Sequence, residues 1–211
     1  MNTWPWWIWL LVAYLLGSVP VGWLVGRGHG VDLRRVGSGN IGATNVWRTL
    51  GRPWGLFTFV LDFVKGALPV WVATAGAVEQ QAWLPALCGL LADGGHIFPA
   101  ALGFRGGKGV ATGGGVLVAL TPWAAAIALL TWLLFFYTFR YVSLASLAAA
   151  LAAGATGCLA YTGGPRVVLL VLAALIIIRH RANVRRLLRG QEPRALRKKT
   201  GIQEASPVCP Q

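Results

Sequence analysis

The chain reads as an all-α protein that crosses a membrane several times, and three observations lead there. Charged residues make up only 12% of its 211 residues and apolar ones 56%, with a mean hydropathy of +0.62, whereas soluble domains carry about 25% charge. The apolar residues come in long blocks, several near the roughly 20 residues that one helical crossing needs. The basic residues are clustered: nine of the nineteen lie between Arg179 and Lys199, the pattern of cytoplasmic loops under the positive-inside rule.

Trp4 to Val25 is the first span. No basic residue precedes it and Tyr14 to Val25 offers no cleavage site, so it reads as a retained helix rather than a signal peptide. The polar segment GRGHGVDLRRVGSGNIGATNVWRTLGRP follows. A second span runs from about Trp54 to Ala77 and carries Asp62 and Lys65 in its middle. The short link EQQ leads to a third span, Ala82 to about Leu102, and then to a second glycine-rich loop within GFRGGKGVATGGG. From Val110 to Phe139 the chain is apolar for about thirty residues, too long for one crossing, and Thr121-Pro122 interrupts it, so two short spans are expected. Arg140 ends the second of these. Tyr141 to Tyr161 is a sixth span, TGGPR a turn, and Val167 to Ile178 the core of a seventh.

Seven spans place the N-terminus outside and the C-terminus in the cytoplasm. Both glycine-rich loops, Arg140 and the basic tail then share the cytoplasmic face, and Arg166 is the only basic residue opposite. A single span over 109–140 would flip one terminus relative to the other. Residues 1–192 are expected to form one transmembrane domain, and 193–211 a flexible basic tail.

The formal net charge of +13 does not make this a nucleic-acid binder, because no recognition module accompanies it. Cys88, Cys158 and Cys209 are scattered, with no C-x-x-C pair, so neither a zinc site nor a disulfide framework is implied. No metal or cofactor is expected.

In GSGNIGATNVWR, Gly37, Gly39 and Gly42 satisfy the text of the dinucleotide fingerprint G-x-G-x-x-G. That fold needs a strand before the first glycine and an acid at the end of a second strand. Here the charged HGVDLRR precedes the glycines, and the acid twenty positions on, Asp62, lies inside an apolar span. Two readings remain. One is a flexible turn. The other is an anion nest, in which glycine amides and a following helix N-terminus converge beside Ser38, Asn40, Thr44, Asn45 and the planar donor Arg48.

The second loop, FRGGKGVATGGG, is no Walker A motif, since Leu102 and Gly109 stand where glycine and a hydroxyl are required. Helix-packing glycines explain TGGG but not the charges of Arg105 and Lys108. In RHRANVRRLLRGQE, His180 and Asn183 sit three apart and share a helical face, with Arg179, Arg186 and Glu192 as neighbours; simple topology explains most of the arginines but not that pair. Asp62 and Lys65 read as a structural ion pair within a span, and His96, three beyond Asp93, as a support for the second loop.

GSGNIGATNVWRTLG, DFVKG, GHIFPAALGFRGGKGVATGGG, RYVSLAS and RHRANVRRLLRGQE, in that order, resemble the bacterial acyl-phosphate:glycerol-3-phosphate acyltransferases, the PlsY family. The resemblance runs from the first span to Glu192. It implies seven membrane helices in the bacterial inner membrane with the active site facing the cytoplasm. The implied reaction is transfer of a fatty acyl group from acyl phosphate to the sn-1 hydroxyl of glycerol 3-phosphate, giving lysophosphatidic acid and phosphate. The enzyme that supplies acyl phosphate is the implied protein partner. Carried over by position, Ser38, Arg48 and Lys108 hold phosphate groups, and His180 and Asn183 position the glycerol hydroxyl. Gly37, Gly39, Asn40, Thr44 and Asn45 line one side. Gly106, Gly107, Gly109 and Thr112 line a second anion pocket through amides and a hydroxyl, while Ser143, Ser146 and Glu192 add contacts. Val184, where the family suggests isoleucine, Asp93, and the tail past Ala195 depart from the pattern.

An acyl phosphate carries its own good leaving group, so the catalyst has to hold two anions, align a hydroxyl and neutralise developing charge. That suits a chain with no G-x-S-x-G, no cysteine in a motif and no H-x-x-x-x-D. Either His180 or a substrate phosphate takes the proton, and the second is favoured. The competing class is a transporter for a phosphorylated solute; no internal repeat is visible and the site groups share one face. A membrane scaffold leaves Arg48 and Lys108 unexplained.

Overall fold

The protein is described by a computed structural model covering residues 5–76 and 81–195. The start of the first expected span at Trp4, the end of the second at Ala77, Glu79 and Gln80 of the EQQ link, Cys209 and the tail from 196 lie outside the described residues.

Those residues form α1 (Trp6–Ser18), α2 (Val21–Gly28), α3 (Ala43–Leu50), α4 (Arg52–Gly76), α5 (Leu84–Ile97), α6 (Val110–Leu120), α7 (Pro122–Phe139), α8 (Val142–Ala160), α9 (Gly163–Arg179) and α10 (Arg181–Leu188), with a 3-10 turn at Ala100–Leu102. No strand occurs among them. Among the described residues four stretches are long and apolar enough to cross a membrane: Trp6–Gly28, Arg52–Gly76, Pro122–Phe139 and Val142–Ala160; α9 and α10, bent by 55° at His180, make a fifth only if taken together as one broken span.

Every expected span has a helix at its position, but not always a full-length one. The third and fourth are α5, with 14 residues, and α6, with 11. At 1.5 Å per residue they measure about 21 and 17 Å, short of a hydrocarbon layer of about 30 Å. The chain gives up helical length there to form the glycine-rich loop that joins them. The first span, expected to be continuous, breaks at Val19-Pro20. Proline has no amide hydrogen to continue the ladder, and at the break the Val19 carbonyl accepts the Val21 amide at 3.0 Å and Lys65 Nζ at 2.7 Å. The break expected at Thr121-Pro122 is present, with Pro122 opening α7. Arg140 ends α7 in the left-handed region, at φ 63°.

Packing follows side-chain size. On α4, Gly66 lies against the Thr112 carbonyl of α6, and Gly115 of α6 lies against the Phe63 carbonyl of α4, so neither position has room for a Cβ. Backbones approach this closely only where side chains are small. Val70, Val116, Val168, Leu169 and Leu172 close the centre. By contrast α7 is peripheral: Ala124 is its one buried residue, against nine in α4. Its Leu129, Leu130 and Leu134 are exposed, the arrangement of a helix that faces lipid.

Inside α4, Lys65 Nζ meets Asp62 Oδ1 at 2.7 Å, and His96 Nδ1 of α5 stands 3.6 Å from the same oxygen. The Asp62–Lys65 pair expected from spacing is therefore present, tied at one end to the α1–α2 break. Asp93 is fully buried, and neither carboxylate oxygen has a hydrogen-bond partner among the described residues.

Candidate active site

Two short loops and the chain beyond α9 enclose a cavity of about 450 Å³. The first loop owes its shape to Asn45 at the start of α3. Its Oδ1 accepts the Ser38 amide at 2.9 Å, and its Nδ2 donates to the carbonyls of Leu33 and Val36, both at 3.1 Å. Asn40 Oδ1 accepts the Gly42 amide at 2.8 Å and the Gly39 amide bonds Val36 O at 3.1 Å. Gly37 and Gly39 take φ of 61° and 68°, values that only glycine adopts at little cost. The amides expected to form an anion nest are thus used to hold the loop. Asn45 is its clamp, and Gly37, pressed on Asn45 Oδ1, does not line the cavity.

The second loop behaves the same way. The amides of Gly106 and Gly107 donate to the carbonyls of Ile97 and His96 at 3.1 and 3.0 Å. Gly107 lies on the His96 ring, with no space for a side chain between them. Arg179 holds the opposite face, donating from Nε to Gly107 O at 3.1 Å and from Nη2 to Gly106 O at 3.0 Å. His96 therefore supports this loop by ring and carbonyl together. The expectation that Gly106 and Gly107 offer their amides, and Thr112 its hydroxyl, to an anion in this cavity is corrected. Both amides are already bonded, and fully buried Thr112, whose backbone lies against Gly66 of α4, does not line the cavity.

What the loops do offer is a pair of helix starts. The first hydrogen bonds to Gly42 and Gly109 come from Asn45 and Gly113, so the amides of Ala43, Thr44, Val110 and Ala111, which line the cavity, have no backbone acceptor. Two helix N-termini with free amides favour an anion between them. Lys108 and Arg48 stand beside them. Ser38, Asn40 and Thr44 complete that wall.

Lys108 Nζ donates to Asn183 Oδ1 at 2.6 Å, Asn183 Nδ2 donates to Glu192 Oε1 at 2.6 Å, and Arg186 Nε donates to Glu192 Oε2 at 2.7 Å. Burial pulls the Lys108 ammonium down to about 8 against the opposing pull of Glu192, and the nearby Arg186, Arg48 and Arg179 add to the depression. Burial works against a charge on Glu192, but the adjacent Ser143 hydroxyl and the donors of Asn183 and Arg186 outweigh it and hold its carboxyl below the usual range. Burial also lowers Arg48, whose Nη2 reaches Pro193 O at 3.3 Å. Glu192, an anion itself, is placed to orient Asn183 and Arg186 rather than to touch a phosphate.

His180 sits at the bend between α9 and α10, beyond the apolar span, and not within one continuous helix with Asn183. Its Nδ1 lies 2.8 Å from Ile176 O. A carbonyl only accepts, so the proton is on Nδ1 and Nε2 is left as an acceptor. Burial, then the charge of Lys108, pulls its pKa down to about 4, so the ring is neutral at pH 7.

The remaining wall is apolar: Leu56 and Phe59 of α4, Trp132 and Phe136 of α7, and Val142 of α8. Trp132 and Phe136 stack with centroids 4.8 Å apart, and Trp132 Nε1 donates to Ser146 Oγ at 3.2 Å. Ser146 Oγ in turn donates to Val142 O at 2.8 Å. Both Ser143 and Ser146 line the cavity; Ser146 spends its hydroxyl on placing the tryptophan, and Ser143 lies next to Glu192. The apolar wall was not singled out in the sequence. Its only signal there is an aromatic pair at i, i+4 in a block already assigned to a span. Pro193 to Ala195, expected in a flexible tail, are tied down: besides the Arg48 bond to Pro193 O, the Ala195 amide bonds Arg140 O at 2.9 Å and Arg194 Nε reaches the Tyr141 hydroxyl at 3.3 Å. One cavity thus joins a cationic end, suited to phosphate, to an apolar end, suited to a hydrocarbon chain.

Comparison with known proteins agrees with that chemistry. The family model for glycerol-3-phosphate acyltransferase matches residues 7–190. A glycerol-3-phosphate acyltransferase of Aquifex aeolicus is 46% identical over 188 residues, covering 88% of this chain and 96% of the relative. One of Cereibacter sphaeroides is 48% identical over 198 residues, covering 92% of each. The crystal structure of PlsY (YgiH), an integral membrane glycerol 3-phosphate acyltransferase, in its glycerol 3-phosphate form superposes with a TM-score of 0.85 at 44% identity, over 90% of this chain and 94% of that one. Its lysophosphatidic acid form gives 0.81 at 42% identity over the same shares.

Proposed function

The chain belongs to the glycerol-3-phosphate acyltransferase family of integral membrane enzymes, and on that premise we propose that it moves a fatty acyl group from acyl phosphate to the sn-1 hydroxyl of glycerol 3-phosphate. The products are lysophosphatidic acid and inorganic phosphate. The observation that carries this reading is the two-ended cavity, with Arg48, Lys108 and two free helix N-termini at one end and Phe59, Trp132 and Phe136 at the other.

Lys108 and Arg48, with the amides that open α3 and α6 and the Ser38 hydroxyl, hold the two phosphate groups and bring the donor carbonyl to the acceptor hydroxyl. Holding both in register turns a two-body encounter into a unimolecular step. The sn-1 oxygen attacks the acyl carbon, the bond from that carbon to the phosphate oxygen breaks, and phosphate leaves with its electron pair. His180 Nε2 accepts the hydroxyl hydrogen bond and fixes its direction, with Asn183 beside it. At a pKa of about 4 the imidazole is a weaker base than a phosphate monoester, whose second pKa is about 6. The proton therefore passes to a phosphate oxygen of the substrates. Lys108 and Arg48 offset the charge that develops on the carbonyl and leaving oxygens. The acyl chain lies along the apolar wall and enters from the bilayer.

The helices complete seven crossings of the bacterial inner membrane, N-terminus outside. Bonds from Arg48 to Pro193, Arg179 to the second loop and Ala195 to Arg140 draw the basic segments to one end, which supports a common cytoplasmic face. The enzyme that makes acyl phosphate is then the partner that delivers donor to that face. Donor choice tests the proposal. Purified protein with labelled glycerol 3-phosphate yields lysophosphatidic acid from acyl phosphate and none from acyl-CoA; product from acyl-CoA alone overturns the assignment of the donor.

A further inference from the structure

The first glycine loop has a second face. On it lies another cavity, of about 470 Å³, whose wall includes Arg34, Arg35, Arg105, Arg179, Asp32 and Asn40. Asn40 also lines the transfer cavity, so this loop forms part of the wall of both. Four arginines face one carboxylate, and that carboxylate is already engaged. Arg34 Nε and Nη2 reach Asp32 Oδ1 and Oδ2 at 3.0 and 2.9 Å, and Arg35 Nε stands 3.8 Å from Oδ2.

Arg179 and Arg105 are held ready rather than neutralised. Arg179 spends two N–H groups on the carbonyls of Gly106 and Gly107, which pins its plane and leaves three donors of the guanidinium. The side chain of Arg105 has no hydrogen-bond or ion-pair partner among the described residues. The volume suits a small molecule, and Ile41 is the one large apolar side chain in the wall, so an acyl chain finds no bed there. Several planar forks around a small polar space match a compact dianion.

We propose that this second cavity binds a phosphate monoester or inorganic phosphate dianion, as a station next to the transfer cavity for glycerol 3-phosphate arriving or phosphate leaving. The proposal rests on the acyl-transfer reading for the identity of those anions. It accounts for arginines that the transfer step leaves unused, on the far side of a loop shared with it.

The test uses the full chain in detergent and two probes, radiolabelled glycerol 3-phosphate and radiolabelled inorganic phosphate, in equilibrium binding at low salt. Arg35 and Arg105 are both exposed, so the double substitution Arg35→Gln with Arg105→Gln leaves the fold intact. The wild type binds one equivalent of at least one probe more than the double variant does, and Lys108→Ala keeps that additional equivalent. The double variant keeps its kcat at saturating substrate, while KM for glycerol 3-phosphate, or the inhibition constant of phosphate, rises about fivefold. Whichever probe loses the additional equivalent identifies the source, arriving substrate or departing product. Arg35→Lys with Arg105→Lys, which keeps the charge, recovers most of the effect. Binding of both probes unchanged in the double variant, with unchanged KM and unchanged phosphate inhibition, overturns the proposal. Absence of transfer by the wild type instead sinks the acyl-transfer reading and leaves the binding result standing.

Discussion

Removing the Lys108 ammonium is the perturbation whose effect can be worked out most fully. Nζ stands 2.6 Å from Asn183 Oδ1 at the mouth of α6, half-buried, with Arg48 nearby on the same cavity wall. A unit charge about 4 Å from a phosphate oxygen, at an effective dielectric near 20, interacts by about 4 kcal/mol. Solvent at the mouth and the remaining guanidinium reduce the loss to about 3 kcal/mol, roughly a hundredfold or somewhat more in kcat/KM. Lys108→Ala is therefore expected to fall about that far, and Lys108→Arg to recover a substantial part. The assay also has a pH signature. With Lys108 at about 8 in the free protein, the cation that binds phosphate is present below that pH and is lost above it. Wild-type kcat/KM thus declines above about pH 8, more than two units below an ordinary lysine, and Lys108→Arg moves that limb out of range because arginine stays charged. Lys108→Ala within about threefold of wild type, with the same alkaline limb, refutes the phosphate-site account.

Three further outcomes are expected. His180→Ala loses about a hundredfold in kcat/KM, while the pH–rate profile of His180→Gln keeps the wild-type limbs; loss of a limb there identifies His180 as the general base after all. Glu192→Gln lowers thermal stability in detergent above pH 5. Since the Glu192 carboxyl is held below its ordinary value, its contribution is present above the unfolded value of about 4.5 and disappears as pH falls through the lower folded one, so the variant shows a flatter acid dependence than wild type. Gly115→Ala forces a Cβ onto the Phe63 carbonyl and costs about 2–3 kcal/mol or prevents folding. Gly114→Ala meets only the Phe63 ring at 3.8 Å and leaves the melting temperature close to wild type.

Where a helix sits was largely legible, because apolar blocks and prolines mark it locally: α4, α7 and α8 fall where the blocks do, and Thr121-Pro122 separates α6 from α7. The break at Val19-Pro20 was hidden because apolar residues continue across it, and the Lys65 ammonium that bonds the Val19 carbonyl comes from 46 positions on. Polar residues at span ends mark Ser38, Arg48, Lys108, His180, Asn183 and Glu192 one by one, and the family resemblance implied that they share one site. How the loops are satisfied could not be anticipated. A glycine string does not say whether its amides face a ligand or a carbonyl, and the partners of Gly106 and Gly107 lie in the preceding helix while that of Ser38 is a side chain seven residues on. Pro193 to Ala195 carry no pattern at all; their place is fixed by Arg48, Arg140 and Tyr141 from distant segments.

The central claim is that one cavity couples acyl transfer to release of phosphate. The direct measurement quantifies both products of a single reaction: inorganic phosphate and lysophosphatidic acid formed by purified protein from acyl phosphate and glycerol 3-phosphate. One phosphate per lysophosphatidic acid, with both lost together in Lys108→Ala, is the predicted result. Phosphate released without the lipid, or glycerol 3-phosphate accumulated in vesicles without either product, contradicts it.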